Sequence, residues 1–245
     1  NPHGNKDELK FLEENDELWF EQKLDHFNQQ DNTTFMQRFW IIDEFFSKEN
    51  KFTPLFLYVC GEWTCSKPST NDFVVQLAKS YNAILVIHEH RYYGKSQPRE
   101  DWSTENLRWL NTDQALADLA HFTRSLNKQF SITYNIPEER RWVLIGGSYP
   151  GALVSWFRGK FPHIALGSWS SSGVVNAIED FHQFDETVSY AFSKTENCRE
   201  KVLELVNYVN KEFEENRGNE IKKQWESENI PDDEFFWYYS DIIAE

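Results

Sequence analysis

Between residues 55 and 169, short apolar runs alternate with longer stretches whose apolar positions recur every three or four residues. Leu55-Phe56-Leu57-Tyr58-Val59 and Ala83-Ile84-Leu85-Val86-Ile87 are continuous enough to be strands buried on both faces. Phe73 to Lys79, with Ser69, Thr70 and Asn71 as caps, predicts a helix. So does Asp113 to Leu126, where Leu116, Leu119, Ala120, Phe122 and Leu126 form one stripe. Trp142 to Ile145 predicts a further strand, Ala152 to Phe157 a helix, and Ile164 to Trp169 another strand. This order implies a mostly parallel sheet with helices on both faces. Upstream, Trp19 to Leu24 and Phe35 to Ile41 predict a hairpin around the polar turn at 28–33. Residues 1–17 are polar and acidic and read as an N-terminal tail, and residues 18–176 as the α/β domain. From 177 to 245 the style changes: Cys198, Val202, Leu205, Val206, Val209 and Phe213 fall at helical spacing, no buried strand follows, and the segment reads as the start of a helical cap.

Composition narrows the classes. Forty aromatic residues (20 Phe, 10 Trp, 10 Tyr) argue for a packed core. The balance of 25 basic against 40 acidic residues gives a formal charge of −15, which disfavours nucleic acid and anionic membranes as partners. No run approaches the roughly 18 apolar residues of a membrane span. The chain starts at Asn1 and carries no leader, so its start is expected to have been processed or cut away. Of three cysteines, Cys60 and Cys65 are near enough to bridge a short loop, which leaves Cys198 without an obvious partner. Asn32-Thr33-Thr34 is an acceptor sequence for N-glycosylation at Asn32, and with the cysteines it fits the secretory route.

The most informative segment is Ile145-Gly146-Gly147-Ser148-Tyr149-Pro150-Gly151, placed between the strand ending at Ile145 and a helix. A serine on such a turn is held in a strained conformation that lifts its hydroxyl above the sheet, the arrangement of a serine hydrolase nucleophile. Small residues must flank it, and Gly146, Gly147 and Gly151 supply them. The Tyr149 amide, at the helix start, points to where an oxyanion would form. Pro150 stands where Gly-x-Ser-x-Gly has its last glycine, and a helix tolerates proline in its first turn.

Several segments together resemble the serine carboxypeptidase family S28. They are Leu24-Asp25-His26-Phe27-Asn28, Gln37-Arg38-Phe39-Trp40, Cys60-Gly61-Glu62 and Glu89-His90-Arg91-Tyr92-Tyr93-Gly94-Lys95-Ser96, in that order. Asp113-Gln114-Ala115-Leu116-Ala117-Asp118, the serine segment itself and Trp156-Phe157-Arg158-Gly159-Lys160-Phe161-Pro162-His163 continue the series. The resemblance implies an α/β-hydrolase fold with a helical cap and exopeptidase cleavage after proline, through an acyl-enzyme on Ser148, in lysosomal or otherwise secretory surroundings. It implies proline-containing peptides as substrates, no cofactor and no metal, and leaves a homodimer open. It also places the second oxyanion amide in the loop after Val59, between Gly61 and Trp63, with Glu62 the first choice.

In such hydrolases the acid and the histidine follow the serine along the chain. Only 97 residues follow Ser148, and most read as cap, so the Asp and His are expected beyond residue 245, the later strands are expected to be missing, and this chain alone is expected to be inactive. His163 lies at the far end of the serine's helix, some 20 Å away at about 1.5 Å per residue. His90 reads as a structural hydrogen-bonding residue and His182 as a surface one, while His3, His26 and His121 have no catalytic context. Asp113 and Asp118 read as capping and bracing their helix, and Asp180 and Asp185 as cap residues. His88 and His90 are half of a metal site without a third ligand. The rival class is a hydrolase-like scaffold without catalysis that serves as a binding or interaction module.

Overall fold

The computed structural model describes residues 12–14, 17–49 and 52–244, and the chain divides into two compact units, one up to Asn176 and one from Ala177. The first unit is built on a seven-stranded sheet. Its strands are β1 (Leu12–Glu14), β2 (Glu17–Lys23), β3 (Thr34–Ile42), β4 (Leu55–Val59), β5 (Ile84–His88), β6 (Trp142–Gly147) and β7 (Ala165–Ser171), in the spatial order β1-β2-β3-β5-β4-β6-β7. β1, β2 and β3 form an antiparallel meander, β3 pairs antiparallel with β5, and β5, β4, β6 and β7 run parallel.

Side-chain alternation explains why both faces of the parallel strands are apolar. Leu55, Leu57, Ile84, Val86 and Leu144 point into one core, which α2 (Thr112–Thr133) and α3 (Tyr149–Lys160) cover with Phe122, Leu126, Leu153 and Phe157. Phe56, Leu85, Ile87 and Ile145 point the other way, against Val74, Val75 and Ala78 of α1 (Phe73–Tyr81). Two buried faces require continuous apolar strands, and that is what the sequence carries. The sheet, its crossovers and the strand order are those of an α/β-hydrolase.

The elements differ from the pattern in a few places. Leu12–Glu14 fall in the segment that reads as tail, yet they form β1 on the outer edge of β2, and β2 itself opens at Glu17. An edge strand pairs through its backbone and tolerates charge, so acidic residues do not exclude it; residues 1–11 lie outside the described residues. α1 starts after Asp72, whose carboxylate accepts from Ser69 N–H at 2.7 Å, so the capping role assigned to residues 69–71 passes to a loop bond. α2 runs seven residues past Leu126, and its cap is Asn111, whose side chain accepts from Gln114 N–H at 3.0 Å.

The second unit is helical: α4 (Gln183–Phe192), α5 (Cys198–Glu214), α6 (Gly218–Gln224) and α7 (Asp232–Ala244). Val209, Ile221, Phe235 and Tyr239 make its core, with the Phe213 and Phe235 rings stacked at 5.3 Å. Cys198 is a free thiol at the start of α5. No helix among the described residues is long and apolar enough to cross a membrane.

Candidate active site

Strand β6 ends at Gly147 and α3 begins at Tyr149, so a single residue, Ser148, makes the turn. Its backbone sits at φ 59°, ψ −129°, a conformation that L-residues rarely occupy and that costs about 1–3 kcal/mol. The surroundings enforce it. Ser148 N–H donates to Ser171 O on β7 at 2.9 Å, and Ser148 O accepts from Ala152 N–H at 3.1 Å. The side chain is exposed, and its hydroxyl has no hydrogen-bond partner among the described residues.

The flanking glycines are unequal. A Cβ on Gly146 would fall 2.4 Å from the Pro150 carbonyl oxygen, and one on Gly151 would lie 3.0 Å from Gly173 Cα. Helix and strand approach so closely there that only hydrogen fits. A Cβ on Gly147 would meet nothing nearer than Ser171 O at 3.8 Å, so the close packing assigned to Gly147 from the sequence belongs to Gly146 and Gly151.

Opposite the turn lies the loop that follows β4. A Cβ on Gly61 would come within 2.6 Å of the Pro150 ring and 2.5 Å of the Trp63 ring, which places residues 61–63 directly against the elbow. A disulfide joins Cys60 and Cys65 at the two ends of this loop. Glu62 and Trp63 are exposed. The Tyr149 amide has no intrahelical acceptor, as expected for the first residue of a helix, and the Glu62 amide makes no hydrogen bond among the described residues. Neither amide is used by a backbone hydrogen bond among the described residues.

The Tyr149 side chain is fixed from behind. His90 Nδ1 lies 2.8 Å from Arg91 O, which can only accept, so Nδ1 carries the proton and Nε2 accepts from Tyr149 O–H at 2.9 Å. Burial lowers the His90 pKa and keeps the ring neutral; burial, then the charge of Glu62, raises the Tyr149 phenol, so it too stays neutral. Glu62, His90, Tyr93, Asn111, Thr112 and Tyr149 line a cleft of about 210 Å³.

Within the α/β unit, none of the histidines at positions 26, 88, 90, 121 and 163 hydrogen-bonds Ser148. His26 Nε2 bonds Asp118 Oδ1 at 2.7 Å, His121 Nδ1 bonds Gln22 Oε1 at 2.7 Å, and His163 Nε2 meets Arg124 Nη2 at 3.1 Å. His182 is exposed in the helical unit. His88 is buried against Phe122 with neither ring nitrogen partnered, and burial lowers its pKa to about 3. Asp118, read as bracing its helix, instead receives two hydrogen bonds of 2.6 Å from the buried Arg91. Asp113 pairs with Lys160 at 2.7 Å. Asn32 is exposed in the turn between β2 and β3. No group of three or more His, Cys, Asp or Glu residues among the described residues could hold a metal ion.

Sequence reasoning missed a buried ionic centre beneath the loop. Arg38 of β3 donates to Glu89, just past β5, through Nε at 3.1 Å and Nη2 at 2.5 Å. The available signal was a charged residue in or just past each of two strand segments, Arg38 between Met36 and Phe39 and Glu89 directly after the apolar run ending at Ile87.

The family described as serine carboxypeptidase S28 matches residues 22–234. The chain is 42% identical over 199 residues to a "Probable serine protease EDA2" of Arabidopsis thaliana, covering 77% of this chain and 40% of that protein. It is 35% identical to the human thymus-specific serine protease (72% and 34% covered) and 33% identical to the mouse lysosomal Pro-X carboxypeptidase (79% and 40%). The chain thus spans about a third to two fifths of the length of these relatives. Among solved structures it is similar to a probable hydrolytic enzyme of Pseudomonas aeruginosa, at TM-score 0.41 and 11% identity over 62% of this chain and 39% of the other.

Proposed function

We propose, since the chain belongs to the serine carboxypeptidase S28 family, that Ser148 is the nucleophile of a serine exopeptidase that cleaves after proline. The observation that carries this is the Ser148 backbone: an exposed serine held at φ 59° between a strand and a helix is otherwise a cost without a return. Ser148 gives its proton to a base and attacks the peptide carbonyl carbon; the C–N bond breaks, the leaving amine takes that proton and an acyl-enzyme forms, and water then releases the acid and restores the serine hydroxyl. The oxyanion of each tetrahedral intermediate is assigned to accept from the amides of Tyr149 and Glu62. No cofactor enters.

A serine hydroxyl is a weak nucleophile until a base takes its proton, and none of the histidines of the α/β unit at positions 26, 88, 90, 121 and 163 bonds Ser148. The base and its acid are therefore assigned to the part of the relatives' length that this chain does not span. The helical unit is assigned as the start of a cap domain. The disulfide supports a lysosomal or secreted location, where oxidised pairs persist, and Asn32 is assigned as a glycosylation site. The test compares the full-length protein with its Ser148→Ala variant on a fluorogenic Xaa-Pro peptide between pH 5 and 7. Turnover that Ser148→Ala abolishes supports the reading; equal turnover by both would show that Ser148 is not the nucleophile, and none by either supports the non-catalytic scaffold instead.

A further inference from the structure

The Arg38–Glu89 centre takes no part in the bond-making and bond-breaking steps, and its own bonds show what it holds. Both Glu89 oxygens are saturated. Besides the two Arg38 bonds, Glu89 accepts from Cys65 N–H at 3.0 Å, Lys95 N–H at 3.2 Å, Ser96 N–H at 3.1 Å and Ser96 O–H at 2.7 Å. Gly94, at φ +53°, lies so close that a Cβ there would fall 1.9 Å from Glu89 Oε1. Arg38 meanwhile donates from Nη2 to Cys65 O at 2.9 Å. One loop residue, Cys65, is thus gripped through its amide by the carboxylate and through its carbonyl by the guanidinium.

The other end of the loop is fixed as firmly. Cys60 N–H donates to His88 O at 3.0 Å, and the disulfide draws the Cα atoms of Cys60 and Cys65 to 6.0 Å. Between these anchors, Gly61 packs against the elbow at Pro150, with the Trp63 ring beside it. A loop whose middle keeps an amide free for a ligand cannot hold itself by its own backbone bonds. It must be held at its ends, and an oxyanion donor must be held closely, because its effect depends on a donor 2.7–3.1 Å from the developing charge.

We propose that the Arg38–Glu89 pair and the Cys60–Cys65 disulfide are positioning devices that clamp the loop of residues 61–63 against the serine elbow. This rests on the reading of Ser148 as nucleophile and the Glu62 amide as an oxyanion donor. Its consequence is that opening the bridge slows the chemical step and leaves substrate affinity nearly untouched. A donor that wanders still lets the peptide bind but meets the oxyanion only part of the time.

The test uses the full-length protein and a Cys60→Ala/Cys65→Ala variant. It measures kcat per titrated active site, KM, and affinity for a peptide aldehyde, which forms a tetrahedral adduct on the serine. Removing one oxyanion donor outright costs about 10²–10³-fold in kcat, so a loosened donor is expected to cost roughly 10–100-fold. The aldehyde affinity should fall in parallel, and KM should stay within about twofold. Because the variant can fail to fold, the same constants are taken on the native protein after mild reduction and again after reoxidation. Differential alkylation with mass spectrometry counts the opened Cys60–Cys65 pairs; kcat should fall with that count and return with reoxidation. An unchanged kcat per titrated site, with only fewer active molecules, would mean a merely structural bridge and overturn the proposal. If the unmodified protein shows no Ser148-dependent turnover, the functional reading fails first and this proposal falls with it.

Discussion

Gly61 and Pro150 meet across the serine turn so closely that a single added carbon on Gly61 would lie 2.6 Å from the Pro150 ring. Both partners are rigid at the point of contact, one a backbone and the other a proline in the first turn of α3. Gly61→Ala is therefore expected to push the loop off the elbow. With the Glu62 amide displaced, kcat should fall about 10–100-fold, a part of what loss of one oxyanion donor costs, with KM changed far less. Steady-state kinetics on the full-length protein check this, and an unchanged kcat would show that the loop does not serve the reaction.

The elbow glycines give a paired prediction. Gly146→Ala should destabilise by about 1–3 kcal/mol as an overpacked site and strip activity, because the Pro150 carbonyl occupies the space a Cβ needs. Gly147→Ala should keep the fold, since its Cβ would find only an ordinary contact at 3.8 Å. Thermal melts of both variants separate the two cases, and equal losses would contradict the geometry.

This pair also shows how far the sequence could be read. A small-residue turn was legible because glycine, serine and proline carry strong backbone preferences that act within a few residues. Which glycine is indispensable was not, because that depends on Pro150, Ser171 and Gly173 coming together in space. Buried strands such as Leu55–Val59 were legible from their unbroken apolar runs, and the helix carrying Leu116 to Leu126 from its stripe. β1 was not, since three residues containing two acids carry no pattern. α7 was hidden because Phe235 to Tyr239 is aromatic at every position and shows no 3.6-residue period. The Arg38–Glu89 centre joins residues 51 apart, a distance over which local periodicity says nothing.

Acid should weaken the α/β unit. Burial lowers His88 to about 3 and His121 to about 4, against about 6.5 in an unfolded chain. Between those values the unfolded chain binds protons that the folded one refuses, so stability falls as pH drops from about 6.5 toward 4. Asp118 acts in the same direction lower down: burial raises its pKa, but the charge and hydrogen bonds of Arg91 outweigh this and hold it low, so its contribution is lost below about pH 4. The His88 ring is fully enclosed beside Phe122 and its nitrogens bond nothing, so His88→Phe should remove its share of the loss. Melting curves at pH 7 and pH 4.5 should then show the variant losing less stability than wild type, by on the order of 2 kcal/mol. Identical losses would mean that His88 is not the group that titrates.

The central claim, that Ser148 is an activated nucleophile in the intact enzyme, is tested most directly by covalent labelling. A fluorophosphonate reacts with a hydroxyl only where a base and an oxyanion site have made it nucleophilic. The full-length protein is treated with such a probe and its peptides are mapped by mass spectrometry. The expected result is one stoichiometric adduct, on Ser148, that is absent from a folded Ser148→Ala variant. An unlabelled Ser148, or an adduct on another serine, would contradict the claim.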